Sequence, residues 1–161
     1  MLLLDVDGVL TDGRLYYSES GEELKVFNTL DGHGLKLLRA AGVRTGIISG
    51  RNSPALLRRA DELGMDIVVL GREDKLNALN EILASEGCAA SQVAYAGDDL
   101  PDLPIIHRVG LGISVANAHH EIRRAAMAVT DAKGGHGAVR EICDFLLQAR
   151  GAYEEMLSRF Q

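Results

Sequence analysis

Asp5 and Asp7 are two carboxylates spaced i, i+2, placed directly after the apolar run Leu2-Leu3-Leu4 and directly before Gly8. An apolar run that stops this way predicts a buried strand whose carboxyl end carries chemistry. Side chains two apart on a strand point the same way, so the pair converges on the rim where open α/β sheets bind ligands. Gly8 lets the backbone turn close to whatever is held there. Carboxylates brought together repel unless a cation sits among them, and their hard oxygens suit Mg²⁺. A plain Asp-Gly turn is the competing reading. It weakens because Ser49-Gly50-Arg51, Asp74-Lys75 and Gly97-Asp98-Asp99-Leu100-Pro101-Asp102 each follow another apolar run.

The elements that must position these residues are readable in outline. Arg14–Ser18 and Glu23–Phe27, around the turn Glu19-Ser20-Gly21-Glu22, predict a β-hairpin. Helical spacing predicts helices over Gly34–Ala41, Pro54–Leu63, Lys75–Ser85 and Glu121–Ala128, and over Ala138–Leu157 with an interruption near Gly151. Pro54 opens its helix and Gly64 closes it, the usual asymmetry. Further strands are expected at Val43–Ser49, Ile67–Leu70, Val93–Ala96 and Leu111–Val115. Strand and helix alternating at this pace imply an α/β fold, a Rossmann-like parallel sheet with helices on both faces and the hairpin as a flap.

The 161 residues suit a single domain spanning 1–161, without repeat, linker or low-complexity tract. Hydrophobic content of 47% and charged content of 25% are ordinary for a globular chain. A net charge of -6 argues against a nucleic-acid partner. It leaves room for a small anion, because a few local cations outweigh global charge at close range. Cys88 and Cys143 lack metal or redox spacing and read as free thiols of a reducing compartment. No apolar run approaches the ~18 residues of a membrane span, and Met1–Leu4 is too short for a secretory signal. A cytoplasmic protein is expected. His33, His107, His119, His120 and His136 show no metal spacing.

Asp-x-Asp-Gly, then Ser49, Lys75 and Gly97-Asp98-Asp99-x-x-Asp102, in that order at strand ends, resemble the haloacid dehalogenase superfamily of phosphohydrolases. The resemblance implies phosphomonoester hydrolysis with Asp5 as nucleophile, forming an aspartyl-phosphate, and Asp7 as general acid and base. It implies Mg²⁺ as cofactor, with Asp5, Asp98 and the Asp7 carbonyl as metal ligands and Asp99 and Asp102 orienting them or Lys75. Ser49 and the amides around Gly50 would hold phosphoryl oxygens, and Lys75 would offset their charge. Superfamily members often insert a cap domain after the first or second motif. Here the 44 positions from Asp5 to Ser49 and the 26 from Ser49 to Lys75 are filled by predicted elements, so no cap domain is expected.

A closer resemblance is to the 3-deoxy-D-manno-octulosonate 8-phosphate phosphatase family. It is carried by Asp5–Gly13, the hairpin with Gly21-Glu22-Glu23-Leu24-Lys25-Val26-Phe27-Asn28, Asp31-Gly32-His33-Gly34, Ile48-Ser49-Gly50-Arg51, Gly97-Asp98-Asp99 and Gly134–Glu141. That family is capless and tetrameric and serves lipopolysaccharide core-sugar synthesis. The resemblance implies a homo-oligomer with shared sites and a phosphorylated sugar-acid substrate. Asn28, Thr29, Leu30, Asp31 and Gly32 would form a substrate loop, and Lys36, Arg51 and Arg59 would contact carboxylate or phosphate. Tyr16, Tyr17 and Phe27 could instead pack between subunits, Lys36 and Arg59 could be solvated helix charge, and the tail from Gly151 to Gln161 is idiosyncratic. Three alternatives stay open. The substrate could be a nine-carbon sugar acid 9-phosphate, or the chain could be a catalytically silent scaffold. It could also be a phosphoacceptor receiver domain, though there the phosphorylated Asp lies on a middle strand well after the acidic pair, whereas here Asp-x-Asp-Gly opens the chain and Asp98 comes late.

Overall fold

The computed structural model describes residues 1–19 and 21–161. Its centre is a six-stranded sheet in the order β5-β4-β1-β6-β7-β8. The strands are β1 (Leu2–Leu4), β4 (Thr45–Ile48), β5 (Ile67–Val69), β6 (Ala94–Gly97), β7 (Leu111–Ser114) and β8 (Ala128–Val129). All five pairings are parallel. β1 lies between β4 and β6 with every residue buried, which is why it is written Leu-Leu-Leu without alternation. The chain runs outward from β1 through β4 to β5, then crosses back to β6 and continues to β8. This reversal opens a crevice beyond the carboxyl ends of β1 and β6.

Two helical groups cover the sheet. α1 (Thr29–Ala40) packs against α6 (Ala138–Ala149) and touches α2 (Pro54–Leu63). α4 (Leu103–Ile106) packs against α3 (Lys75–Glu86), α5 (His120–Ala125), β6 and β7. α7 (Tyr153–Ser158) follows Gly151, which turns the chain at φ +68°, and drops Met156 into the core. The expected interruption falls there. α2 matches its expected bounds, with Ser53 capping its first turn and Gly64 left-handed at its end.

Some elements differ from expectation. The hairpin is β2 (Tyr16–Ser18) paired with β3 (Gly21–Leu24), shorter than expected and shifted toward the turn. Its expected turn includes Ser20, outside the described residues. α1 begins five residues before the expected Gly34, at Thr29. Asn28 accepts from Leu30 N at 2.8 Å, and this N-cap offsets the poor helix propensity of Gly32 and Gly34. The expected substrate loop is therefore a helical turn from Thr29 onward. α5 ends at Ala125, and Ala128, the last residue of the expected helix, instead begins β8, paired with Ile113.

Candidate active site

Asp5 follows the last residue of β1, and its amide donates to Ala96 O at 2.9 Å, locking it beside the end of β6. Lys75 opens α3 and turns its side chain back into the protein, where only 7% is exposed. Its Nζ donates to Asp5 Oδ1 and to Asp102 Oδ1, both at 2.6 Å. Asp102 is fully engaged. Its Oδ1 also accepts from the buried Tyr95 hydroxyl at 2.6 Å, and its Oδ2 from the amides of Asp98 and Asp99 at 3.0 and 3.3 Å. Asp102 thus braces Lys75 and the acidic loop together. Asp99 caps the turn it begins, accepting from Leu100 N at 2.8 Å.

Two glycines let the loops meet. Gly8 has φ +101°, and a Cβ there would lie 2.0 Å from Asp98 Oδ2. Only the bare backbone admits that carboxylate. Gly134 presses on the back of the same turn, where a Cβ would fall 1.6 Å from Gly8 O. Thr11 Oγ1 closes the turn by accepting from Gly8 N and Gly13 N.

The electrostatics are those of a site short of positive charge. Burial, and next the charge of Asp102, pushes Asp5 up to about 6 against the pull of Lys75. Asp98 rises to about 8 through burial and then the charges of Asp5 and Asp102. Burial opposes the charge on Lys75, but Asp5 and Asp102 outweigh it and hold the ammonium above its usual value. Among the described residues, Asp5, Asp98 and Asp102 each offer an oxygen within 4.8 Å of the others. With Asp102 saturated by hydrogen bonds, Asp5 and Asp98 are the carboxylates left to take a hard divalent cation, and the donor set fits one. Asp7 is outside that cluster but lines the same cleft of about 530 Å³, together with Gly13, Ser49, Gly50, Arg51, Glu73, Lys75, Asp98, Asp99, Pro101 and Asp102. Ser49 is buried at the end of β4, held by Ser49 N to Val69 O and Arg72 N to Ser49 O, and its Oγ accepts from Arg51 N at 3.1 Å.

Residues 71–142 match the haloacid dehalogenase-like hydrolase family. Over 154 residues the chain is 46% identical to the 3-deoxy-D-manno-octulosonate 8-phosphate phosphatase KdsC of Yersinia pestis, covering 96% of this chain and 82% of that one. The chain belongs to the KdsC phosphatase family. Its structure superposes with a TM-score of 0.97 on the Moraxella catarrhalis 3-deoxy-D-manno-octulosonate 8-phosphate phosphatase, solved in complex with magnesium ion, phosphate ion and KDO. That protein is 41% identical, with 99% of this chain and 92% of that one covered. A probable YrbI family phosphatase from Pseudomonas syringae superposes equally well, with 54% identity and 99% and 90% coverage.

Within this KdsC family member, Asp5, Asp7, Ser49, Gly50, Arg51, Lys75, Asp98, Asp99 and Asp102 come together as expected. The other expected substrate contacts do not reach the cleft. Asn28 caps α1 and donates from Nδ2 to Gly135 O at 3.3 Å. Asp31 is 1% exposed and faces α6, accepting from Arg140 N at 2.8 Å. It supplies the cap that Gly137, at the start of α6, lacks a side chain to make. Gly32 lies under Arg59, whose Nη2 would be 2.2 Å from an added Cβ. Arg59 donates to Asn28 O and lines a neighbouring depression with Lys25, Phe27, Thr29, Ala55, Arg58 and Glu62. Leu30 and Lys36 are exposed on α1. Three contributors were missed by sequence reasoning: Tyr95, Glu73 and Lys25. Tyr95 sits inside an apolar run and reads as core, while Lys25 acquires its role through a tertiary contact.

Proposed function

We propose that this chain hydrolyses 3-deoxy-D-manno-octulosonate 8-phosphate to the free sugar acid and phosphate, with Mg²⁺ held by Asp5, Asp98 and the Asp7 carbonyl. The observation that carries the reading is Asp5 itself. It is a buried carboxylate at the end of the central strand, gripped on one oxygen by Lys75 and facing an oxygen-rich cleft, in a chain 46% identical to a phosphatase of that activity. An Asp5 oxygen attacks phosphorus, the bond to the sugar oxygen breaks, and an aspartyl-phosphate forms. Asp7 gives its proton to the leaving alkoxide. It then takes a proton from the water that attacks phosphorus and frees Asp5, work worth ~10²–10⁴ in rate. Ser49 and the neighbouring amides hold the phosphoryl oxygens, and Lys75 keeps Asp5 oriented. When bound, the cation offsets the charge that carboxylates and phosphoryl oxygens bring together.

The finer expectations belong to the same reading. The apolar hairpin side chains Tyr16, Tyr17, Leu24 and Val26 are exposed by 43–61%, which supports burial against other copies in a tetramer. Exposed Thr29 and Leu30 would then serve a neighbour's cleft, and a monomer in sedimentation would sink this arrangement. Free Cys88 and Cys143 suit a reducing cytoplasm. No helix among the described residues is long and apolar enough to cross a membrane.

The test is phosphate release with Mg²⁺ from the eight-carbon acid 8-phosphate, a nine-carbon acid 9-phosphate, hexose 6-phosphates and an aryl phosphate. The expected result is a kcat/KM preference of ~10³ for the eight-carbon substrate, equivalent to ~4 kcal/mol. Comparable slow rates on all four would remove the substrate assignment and keep the chemistry. Asp5→Asn is expected to abolish turnover in a folded protein, and retained turnover would remove the nucleophile assignment.

A further inference from the structure

The hairpin and the catalytic cleft are joined within one chain by two side-chain contacts. Lys25, one residue past β3, places Nζ on Oδ1 of Asp7, and its side chain is 1% exposed. Arg51 Nη1 donates to the Tyr17 hydroxyl of β2 at 3.3 Å, and Arg51 Nε stands 3.8 Å from Asp7 Oδ2. Both oxygens of Asp7 therefore face a cation, one of them delivered by the hairpin from 18 positions away. Burying an ammonium is costly unless a charge answers it. A methionine would fill the same space without that cost.

We propose that Lys25 is a positioning residue for the acid–base carboxylate. Its ammonium fixes Asp7 in one orientation along the cleft. Fixing the carboxylate matters because proton transfer tolerates little displacement of donor from acceptor. The hairpin then acts on catalysis from within its own chain, whatever the hairpin packs against on its other side.

This inference rests on the assignment of Asp7, and the experiment separates the two. Lys25→Met, Lys25→Arg, Asp7→Asn and the double variant Lys25→Met/Asp7→Asn are assayed in the full chain with Mg²⁺. Two substrates are used: the sugar acid 8-phosphate, and 4-nitrophenyl phosphate, whose leaving group needs no proton. Lys25→Met is expected to lower kcat on the sugar phosphate ~10-fold to 10²-fold with KM within about twofold. Lys25→Arg should recover most of it. In a burst assay with 4-nitrophenyl phosphate, Lys25→Met should add no loss to Asp7→Asn, the non-additivity of residues that act as a unit. A raised KM at unchanged kcat, or an equal loss with and without Asp7, would overturn the inference. Full turnover by Asp7→Asn would instead overturn the acid–base assignment. Thermal melts confirm that each variant is folded, and Lys25→Gln, tested against the same criteria, replaces Lys25→Met if that variant does not fold.

Discussion

Asp98 holds its proton far above the ordinary 3.8, up to about 8, because burial and the charges of Asp5 and Asp102 resist a further negative charge. Between those values the folded chain keeps a proton that the unfolded chain has released. Metal-free stability therefore falls as pH rises from about 4 to about 8. Asp5, raised to about 6, contributes with the same sign over a narrower window. Asp98→Asn removes the conflict. In chelator its melting temperature should exceed that of the parent by several degrees at pH 8, at ~2–4 °C per kcal/mol for a chain of this size, and by much less at pH 5. Mg²⁺ should raise the parent and leave Asp98→Asn nearly unmoved, and an equal response of both would remove Asp98 from the ligand set. Residues of this kind were legible in the sequence because Asp5, Ser49 and Asp98 each directly follow an apolar run, and Lys75 and Asp102 lie a few positions further on. Lys25 and Tyr95 were not, since the pattern places Lys25 inside the expected strand Glu23–Phe27 and Tyr95 inside an apolar run, and both gain meaning from partners that the tertiary fold supplies.

At the scale of elements, the contact between α1 and α6 decides what the segment from Asn28 to Gly32 can do. Asp31 caps α6 from the neighbouring helix, and burial pushes its carboxyl above the usual range against the pull of the Arg140 amide. Gly34 lets the helices close, since a Cβ there would lie 2.9 Å from Arg140 Cδ. Asp31→Ala should cost ~1–3 kcal/mol through the lost cap and an unanswered amide. It should leave kcat/KM near the parent value below the melting range, and Asp31→Asn, which keeps an acceptor, should restore most of the stability. A fall in kcat/KM without a fall in melting temperature would return Asp31 to the substrate site. The sequence held a signal for the true start of α1, an Asn followed three residues later by Asp. It was masked by Gly32 and Gly34, which break the apolar periodicity. β8 escaped notice for a different reason, because two residues cannot display a period.

For the whole molecule, the net charge of -6 and the make-up of the cleft pose one problem. Asp5, Asp7, Glu73, Asp98, Asp99 and Asp102 line it against Arg51 and Lys75, and Lys75 is already spent on two carboxylates. Sheet order, which the sequence does not encode locally, is what concentrates these charges by setting β6 beside β1. A phosphate dianion entering such a cleft meets repulsion of roughly 4 kcal/mol per close pair at the dielectric typical near a protein surface. Binding must therefore be ordered, cation first and phosphate second. Phosphate alone should leave the melting temperature of the metal-free protein unchanged, and Mg²⁺ alone should raise it. Phosphate added on top of Mg²⁺ should raise it again, by an increment that grows with the logarithm of phosphate concentration. If phosphate instead stabilised the metal-free chain as strongly as the loaded one, Ser49, Lys75 and Arg51 would suffice to hold it. Ordered binding, cation before phosphate, would then be excluded.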